Sequence, residues 1–209
     1  MPARVRATVV VDCFSCFRAL TCWPATAAAT AHPQAVRLPT LAASAALWRQ
    51  GDAFGGVFVV AQGCLKLVEG ATDGIDTVAG FRFPGDVLGL DAVGDGLHAD
   101  DAIALQPLTV CRIDWDRSAE ADRYAALDRE FLARQASEAR RLRAQRRSLH
   151  RGAVAALSDC LTEIRAALGV EPDASRRLPM SGADLASFLG IAAATVSRAL
   201  RELELRGCL

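Results

Sequence analysis

Ser181-Gly182-Ala183-Asp184-Leu185-Ala186-Ser187-Phe188-Leu189-Gly190, continuing through Ala192-Ala193-Ala194-Thr195-Val196-Ser197-Arg198, is the stretch whose reading decides the fold. Ser181 is placed to cap a helix, and Asp184 stands three residues on, a capping box with Asp in place of Glu. Leu185, Phe188 and Leu189 supply an apolar face, and Gly190 permits the left-handed turn that ends the helix. A second helix is predicted from about Ala192 to Leu205, with Val196, Leu200 and Leu203 facing inward. Two short helices across a glycine turn, the second presenting Thr195, Ser197, Arg198 and Arg201, meet the requirements of a helix-turn-helix. An exposed Arg reaches guanine O6 and N7 with two hydrogen bonds, and Ser serves several base edges. A plain helical hairpin with a solvated outer face fits the same pattern equally well.

Upstream, the texture changes twice. Residues 118–151 contain neither Gly nor Pro and are rich in Ala, Leu, Arg and Glu, which predicts one long helix. Leu132, Gln135, Ala139, Leu142, Arg146 and Leu149 recur at alternating steps of three and four and mark one stripe of it. The stripe is polar at Gln135 and Arg146. Between Arg134 and Arg151, Glu138 is the only acid among many arginines, so two such helices side by side would repel. From Val36 to about Asp114, short apolar runs such as Val57-Phe58-Val59-Val60 and Leu65-Lys66-Leu67-Val68 alternate with turns. Gly51-Asp52, Gln62-Gly63, Pro84-Gly85-Asp86 and Gly94-Asp95-Gly96 punctuate them about every ten residues, as in a β-sandwich or roll. After the long helix come shorter ones, broken at 169–179 and at Gly190. The predicted class is α+β: a cysteine-bearing arm (1–30), a β-roll (31–117), a long helix (118–150) and a helix-turn-helix domain (151–209).

Composition narrows the function classes. The 209 residues carry 24 basic and 24 acidic side chains and are 52% hydrophobic, which excludes both a disordered polyampholyte and a uniformly basic nucleic-acid coat. Lys66 is the only lysine, as a GC-rich genome would give. No run of 18 apolar residues lacks a charge, and Val9-Val10-Val11 is too short for a signal-peptide core, so a cytoplasmic protein is expected. Cupin-type metal chemistry needs several His on the strands, yet of His32, His98 and His150 only His98 lies in the strand-like stretch from Val36 to about Asp114. No phosphate loop, nucleophile elbow or acid–base pair appears, so an enzyme is not expected.

Seven cysteines are present, with Cys13, Cys16 and Cys22 crowded together. In a reducing compartment such crowding points to metal or redox chemistry before disulfides. Structural zinc sites usually take two short Cys-x2-Cys knuckles, and the chain has one. Phe14, Phe17, Leu20 and Trp23 add apolar bulk to the arm. Cys64, on a predicted strand, Cys160, on a helix, and Cys208 read as small buried hydrophobes.

Leu178-Pro179-Met180-Ser181, Asp184-Leu185-Ala186, Phe188-Leu189-Gly190 and Thr195-Val196-Ser197-Arg198 resemble the DNA-binding segment of the cyclic AMP receptor protein and FNR superfamily of bacterial transcription regulators. The order of β-roll, long helix and helix-turn-helix resembles that family from about residue 35 onward. The resemblance implies a homodimer joined along the long helix, a second short helix in the major groove of promoter DNA, and RNA polymerase as a partner. Cys13-x2-Cys16-x5-Cys22 with a distal Cys111 resembles the FNR branch, whose three clustered and one distal cysteine bind an oxygen-labile 4Fe-4S cluster. Phe81 to Asp91 and Ala104 to Ile113 resemble the segments around the distal ligand. The resemblance therefore implies Cys13, Cys16, Cys22 and Cys111 as metal ligands. Nitric oxide, redox or metal sensing through the same cysteines is the alternative within the family.

Three departures qualify the resemblance. FNR-type recognition helices usually carry Glu where this chain has Ala194, so the half-site does not carry over. The chain stops at Leu209, just after the recognition helix, so phosphate contacts from a β-wing are expected to be missing. Cyclic-nucleotide sites of the family resemble Gly-Glu-Leu followed by Arg-Ser or Arg-Thr. The matching residues here are Gly89-Leu90-Asp91 and then His98 to Ala102, with Asp100 or Asp101 where a phosphate would need Arg. No cyclic nucleotide is expected, because like charges in a partly buried pocket repel.

Overall fold

Apolar runs bounded by glycine turns build nine strands ahead of four helices in the computed structural model, described over residues 9–11, 35–70, 74, 76–113, 121–169 and 178–207. The strands are β1 (Val9–Val11), β2 (Ala35–Arg37), β3 (Ala46–Trp48), β4 (Val57–Gln62), β5 (Leu65–Glu69), β6 (Thr77–Arg82), β7 (Val87–Leu88), β8 (Asp101–Ala104) and β9 (Thr109–Ile113). The helices are α1 (Ala121–His150), α2 (Ala153–Leu168), α3 (Gly182–Leu189) and α4 (Ala193–Leu205). Two compact units divide the chain, one holding the sheets except for Thr77–Ala79 of β6, the other those three residues and the helices from Leu132 onward.

The first unit contains a five-stranded sheet in the order β1-β2-β9-β4-β7 and a four-stranded sheet in the order β3-β8-β5-β6. Both sheets contribute to one core, with Phe58, Val60, Leu88 and Val110 from the first meeting Trp48, Leu65, Ala102 and Ala104 from the second. β4 is apolar on consecutive residues because both of its faces are covered. Phe58 and Val60 enter the core between the sheets, while Val57 and Val59 join Ala35 and Ile113 in a separate cluster on the opposite face. Between β4 and β5 the chain reverses at Gly63, whose φ is +85°. A Cβ there would lie 2.3 Å from the Pro107 carbonyl oxygen, so only glycine fits. Cys64 falls in this connection and not within a strand; the tight reversal ends β4 at Gln62.

Val9–Val11 also pairs. β1 runs antiparallel to β2, with Val9 opposite Arg37 and Val11 opposite Ala35. The sheet therefore reaches into the leading segment, a strand that a three-residue valine run is too short to signal.

In the second unit, α2, α3 and α4 share a core of Leu157, Leu161, Ile164, Leu185, Leu189, Val196, Ala199 and Leu203, all buried. Leu200, predicted to face inward, is half-buried, and Ala199 takes the interior position. α1 lies inside the predicted long-helix span, and Gly169 in the left-handed region closes α2.

Candidate nucleic-acid interface and sensor residues

Local chemistry builds the helix pair as its sequence predicts. Ser181 Oγ accepts from the Asp184 backbone N–H at 3.1 Å, and the Asp184 carboxylate accepts from the Ser181 N–H at 2.9 Å, completing the capping box. Gly190 adopts φ 65°, and its N–H and that of Ile191 satisfy carbonyls at the end of α3. α3 and α4 then cross at 109°, within the range of helix-turn-helix motifs.

On α4, Ala193, Ala194, Ser197, Arg198 and Arg201 are exposed and Thr195 is half-buried. Ser197 Oγ donates to the Ala193 carbonyl at 3.1 Å, so the hydroxyl presents lone pairs outward. Arg198 Nε donates to the Ala194 carbonyl at 3.3 Å, and one terminal nitrogen donates to Thr195 Oγ1 at 3.2 Å. Three guanidinium N–H groups remain for a base edge. Thr195 thus acts as a brace for Arg198.

The long-helix stripe is open in the single chain. Leu132 is 71% exposed and Leu142 50%; Gln135, Ala139 and Arg146 are exposed, and Leu149 is half-buried. The acids that answer its arginines come from α2 as well as from Glu138. Arg141 lies 3.7 Å from Glu138 and 3.6 Å from Glu163. Arg151 and the buried Ser148 both bond the Asp159 carboxylate. Helix-to-helix pairs of this kind are invisible to a reading confined to one helix.

In the sheet unit, Cys111 sits on β9, half-buried, with Arg37 of β2 and Val59 of β4 as its lateral neighbours. It packs on the cluster of Ala35, Val57, Val59 and Ile113, together with Val87 and Leu90. Cys13, Cys16, Cys22 and Cys208 lie outside the described residues. Among the described residues no three His, Cys, Asp or Glu side chains gather as a metal site. Cys64 and Cys160 are buried, and burial pushes their thiols up to about 11 and about 12. At neutral pH both are held as thiols, as buried cysteines packed as small hydrophobes are.

Residues of the stretch resembling a cyclic-nucleotide site pair with other groups of the protein. His98, 3% exposed, stacks on Trp48 with ring centroids 4.1 Å apart, and its Nδ1 lies 3.4 Å from the Asp91 carboxylate. Asp101 accepts from Arg49 at 2.6 Å and from the Gln50 N–H at 2.7 Å. Asp100 is buried, and burial together with the Asp91 charge raises its carboxyl to about 6. The stacking of Trp48 on His98, fifty residues apart, left no trace in the sequence.

Residues 38–121 match the cyclic nucleotide-binding domain, and residues 156–209 match the Crp-like helix-turn-helix domain. The chain belongs to the CRP/FNR family of transcription regulators. The transcriptional activator protein FnrA of Stutzerimonas stutzeri is 29% identical over 167 residues, covering 78% of this chain and 68% of the relative. The anaerobic regulatory protein of Haemophilus influenzae is 26% identical over 175 residues, covering 78% and 65%. The structure of FixK2 from Bradyrhizobium japonicum superimposes with a TM-score of 0.69 at 26% identity, covering 83% of this chain and 86% of that one. This CRP/FNR chain is therefore a DNA-binding regulator and not an enzyme. No single helix among its described residues is long and apolar enough to cross a membrane.

Proposed function

We propose that this regulator binds promoter DNA in the cytoplasm as a homodimer, under the control of an oxygen-labile 4Fe-4S cluster held by Cys13, Cys16, Cys22 and Cys111. The observation that carries the reading is the position of Cys111. It is a half-buried thiol on an apolar sheet face, two strands from β1, whose last residue precedes Cys13 by two positions. Four thiolates are the usual complement for such a cluster, and apolar surroundings limit access of water and oxygen to it. The names of the FnrA and anaerobic regulatory relatives support the same signal. When bound, the cluster supplies oxygen reactivity; the chain supplies the thiolates, the apolar wall and the read-out.

The read-out is dimerisation. Two recognition helices must reach half-sites one turn of DNA apart, so a monomer binds weakly. The exposed Leu132 and Leu142 supply a seam, while the arginines of α1 and the polar Gln135 and Arg146 keep it marginal. A shift of about 2–3 kcal/mol in dimer stability changes occupancy roughly 30- to 150-fold, enough for a switch. RNA polymerase is the further partner. Leu90, Asp100 and Asp101, with His98 packed on Trp48, argue against a cyclic nucleotide as the signal.

Protein purified without air tests the cofactor. About four iron and four sulfide per chain with a straw-brown colour are expected, with loss of both in Cys111→Ser. Colourless, iron-free protein, or zinc in place of iron, refutes the reading. Sedimentation of the cluster-bound and cluster-free forms tests the switch; equal dimer fractions reject it.

A further inference from the structure

The leading turn of the recognition helix is made of small apolar side chains. Ala192, Ala193 and Ala194 are all exposed, and none has a polar atom for a base edge. The residues that open such a helix meet the base pairs in the major groove. There each thymine offers a 5-methyl group, which pairs with an alanine methyl as an apolar contact, whereas the other bases offer hydrogen-bonding edges that alanine cannot use. Ala194 stands one turn ahead of Arg198 and three residues ahead of Ser197, on the same exposed face. Arg198 is fixed against that turn through its bonds to the Ala194 carbonyl and Thr195 Oγ1. One turn of helix rises about 5.4 Å, so a base one or two steps from the guanine taken by Arg198 meets the Ala194 methyl.

We propose that Ala194 is a specificity determinant that selects thymine next to the guanine read by Arg198, through methyl-to-methyl contact in place of a hydrogen bond. The inference rests on DNA binding by α4 and is independent of the cluster. It differs from recognition by a carboxylate at this position, which would accept from a cytosine amino group. Ser197, with its proton held by Ala193, contributes an acceptor beside the contact.

The experiment removes the methyl from the DNA and leaves the protein intact. The full chain, prepared with and without air, is used to select a palindromic site from a random duplex pool. Each thymine of that site is then replaced by deoxyuridine, which lacks only the 5-methyl group. A thymine is expected within two steps of the guanine whose discrimination Arg198→Ala abolishes. Its replacement should weaken binding about fourfold per half-site, from about 0.8 kcal/mol for one buried methyl-sized group, and about fifteenfold in both half-sites. Ala194→Gly should bring the thymine-to-deoxyuridine ratio to one, and Ala194→Ser, which keeps the helix better, should lower it. A ratio of one at every position with the unaltered chain overturns the proposal. So does a selected site with another base there, or a pool in which neither preparation enriches a sequence. Loss of air-dependence with the ratio intact would strike the cluster reading alone.

Discussion

Replacing Asp100 by Asn should stabilise the protein at neutral and alkaline pH, and the structure sets the size of the effect. Asp100 is 7% exposed. Burial is the main cause that lifts its carboxyl to about 6, and the neighbouring Asp91 charge adds to it; the Trp48 side chain and Arg82 pull the other way, and Glu69 adds a small increment. In the unfolded chain the same group titrates near 3.8. Between these values the native state holds the proton and the unfolded state does not, so stability falls as pH rises. The stabilising contribution of the neutral acid is fully present below about pH 4 and is lost as pH passes through about 6. About two units at 1.36 kcal/mol each give a loss of about 3 kcal/mol by pH 8. Asp100→Asn has no charge to bury and should escape it. Thermal and urea unfolding of both proteins from pH 4 to pH 8 is the assay. The midpoints should coincide near pH 4 and diverge upward, by about 6–12 °C at pH 8 for a chain of this size. A difference that does not vary with pH, or an Asn variant less stable at pH 8, would refute the argument that burial of this carboxyl is costly.

Three other outcomes follow from the geometry. Arg198→Ala should weaken specific DNA binding by about 1–3 kcal/mol and flatten the preference for guanine at one position, as titration of single-base variants of the site would reveal. Leu142→Ala removes a half-exposed apolar contact from each chain of the proposed dimer; its dissociation constant should rise roughly 30- to 150-fold, from about 2–3 kcal/mol for two side chains, as read by sedimentation. Ser181→Ala deletes the oxygen that accepts from Asp184 N–H and should cost about 1 kcal/mol of helix-turn-helix stability, visible as a lower melting temperature with contacts to DNA unchanged.

The C-terminal unit was the most legible part of the sequence because its signals are local. Ser181, Asp184 and Gly190 each act within four residues, and all three occupy the roles their types predict. The roll was legible from its turns, since glycines at positive φ can be recognised one by one. Legibility ended where contacts are long-range. Arg141 and Glu163, or Trp48 and His98, meet only once helices and strands are folded against each other. Cys64 departs from the strand expected of it for a related reason: an apolar residue between two apolar runs reads as strand, and the reversal there depends on the close approach of Pro107 to Gly63. For the candidate metal ligands, the strand and burial of Cys111 are settled by the fold, while the roles of the leading cysteines rest on sequence alone.

The pairing of β1 has a kinetic consequence for any chemistry at those sulfurs. Val11 is hydrogen-bonded into a sheet that also contains Cys111, and covalent geometry keeps the Cα of Cys13 within about 7 Å of Val11. In the proposed 4Fe-4S site, this short covalent tether would keep Cys13 close to the β1 end of the sheet that carries Cys111 after an oxidant had removed the cluster. Rebuilding the proposed cluster would then be a ring closure at an effective concentration in the millimolar range typical of short tethers, so that such a sensor would be recharged in place.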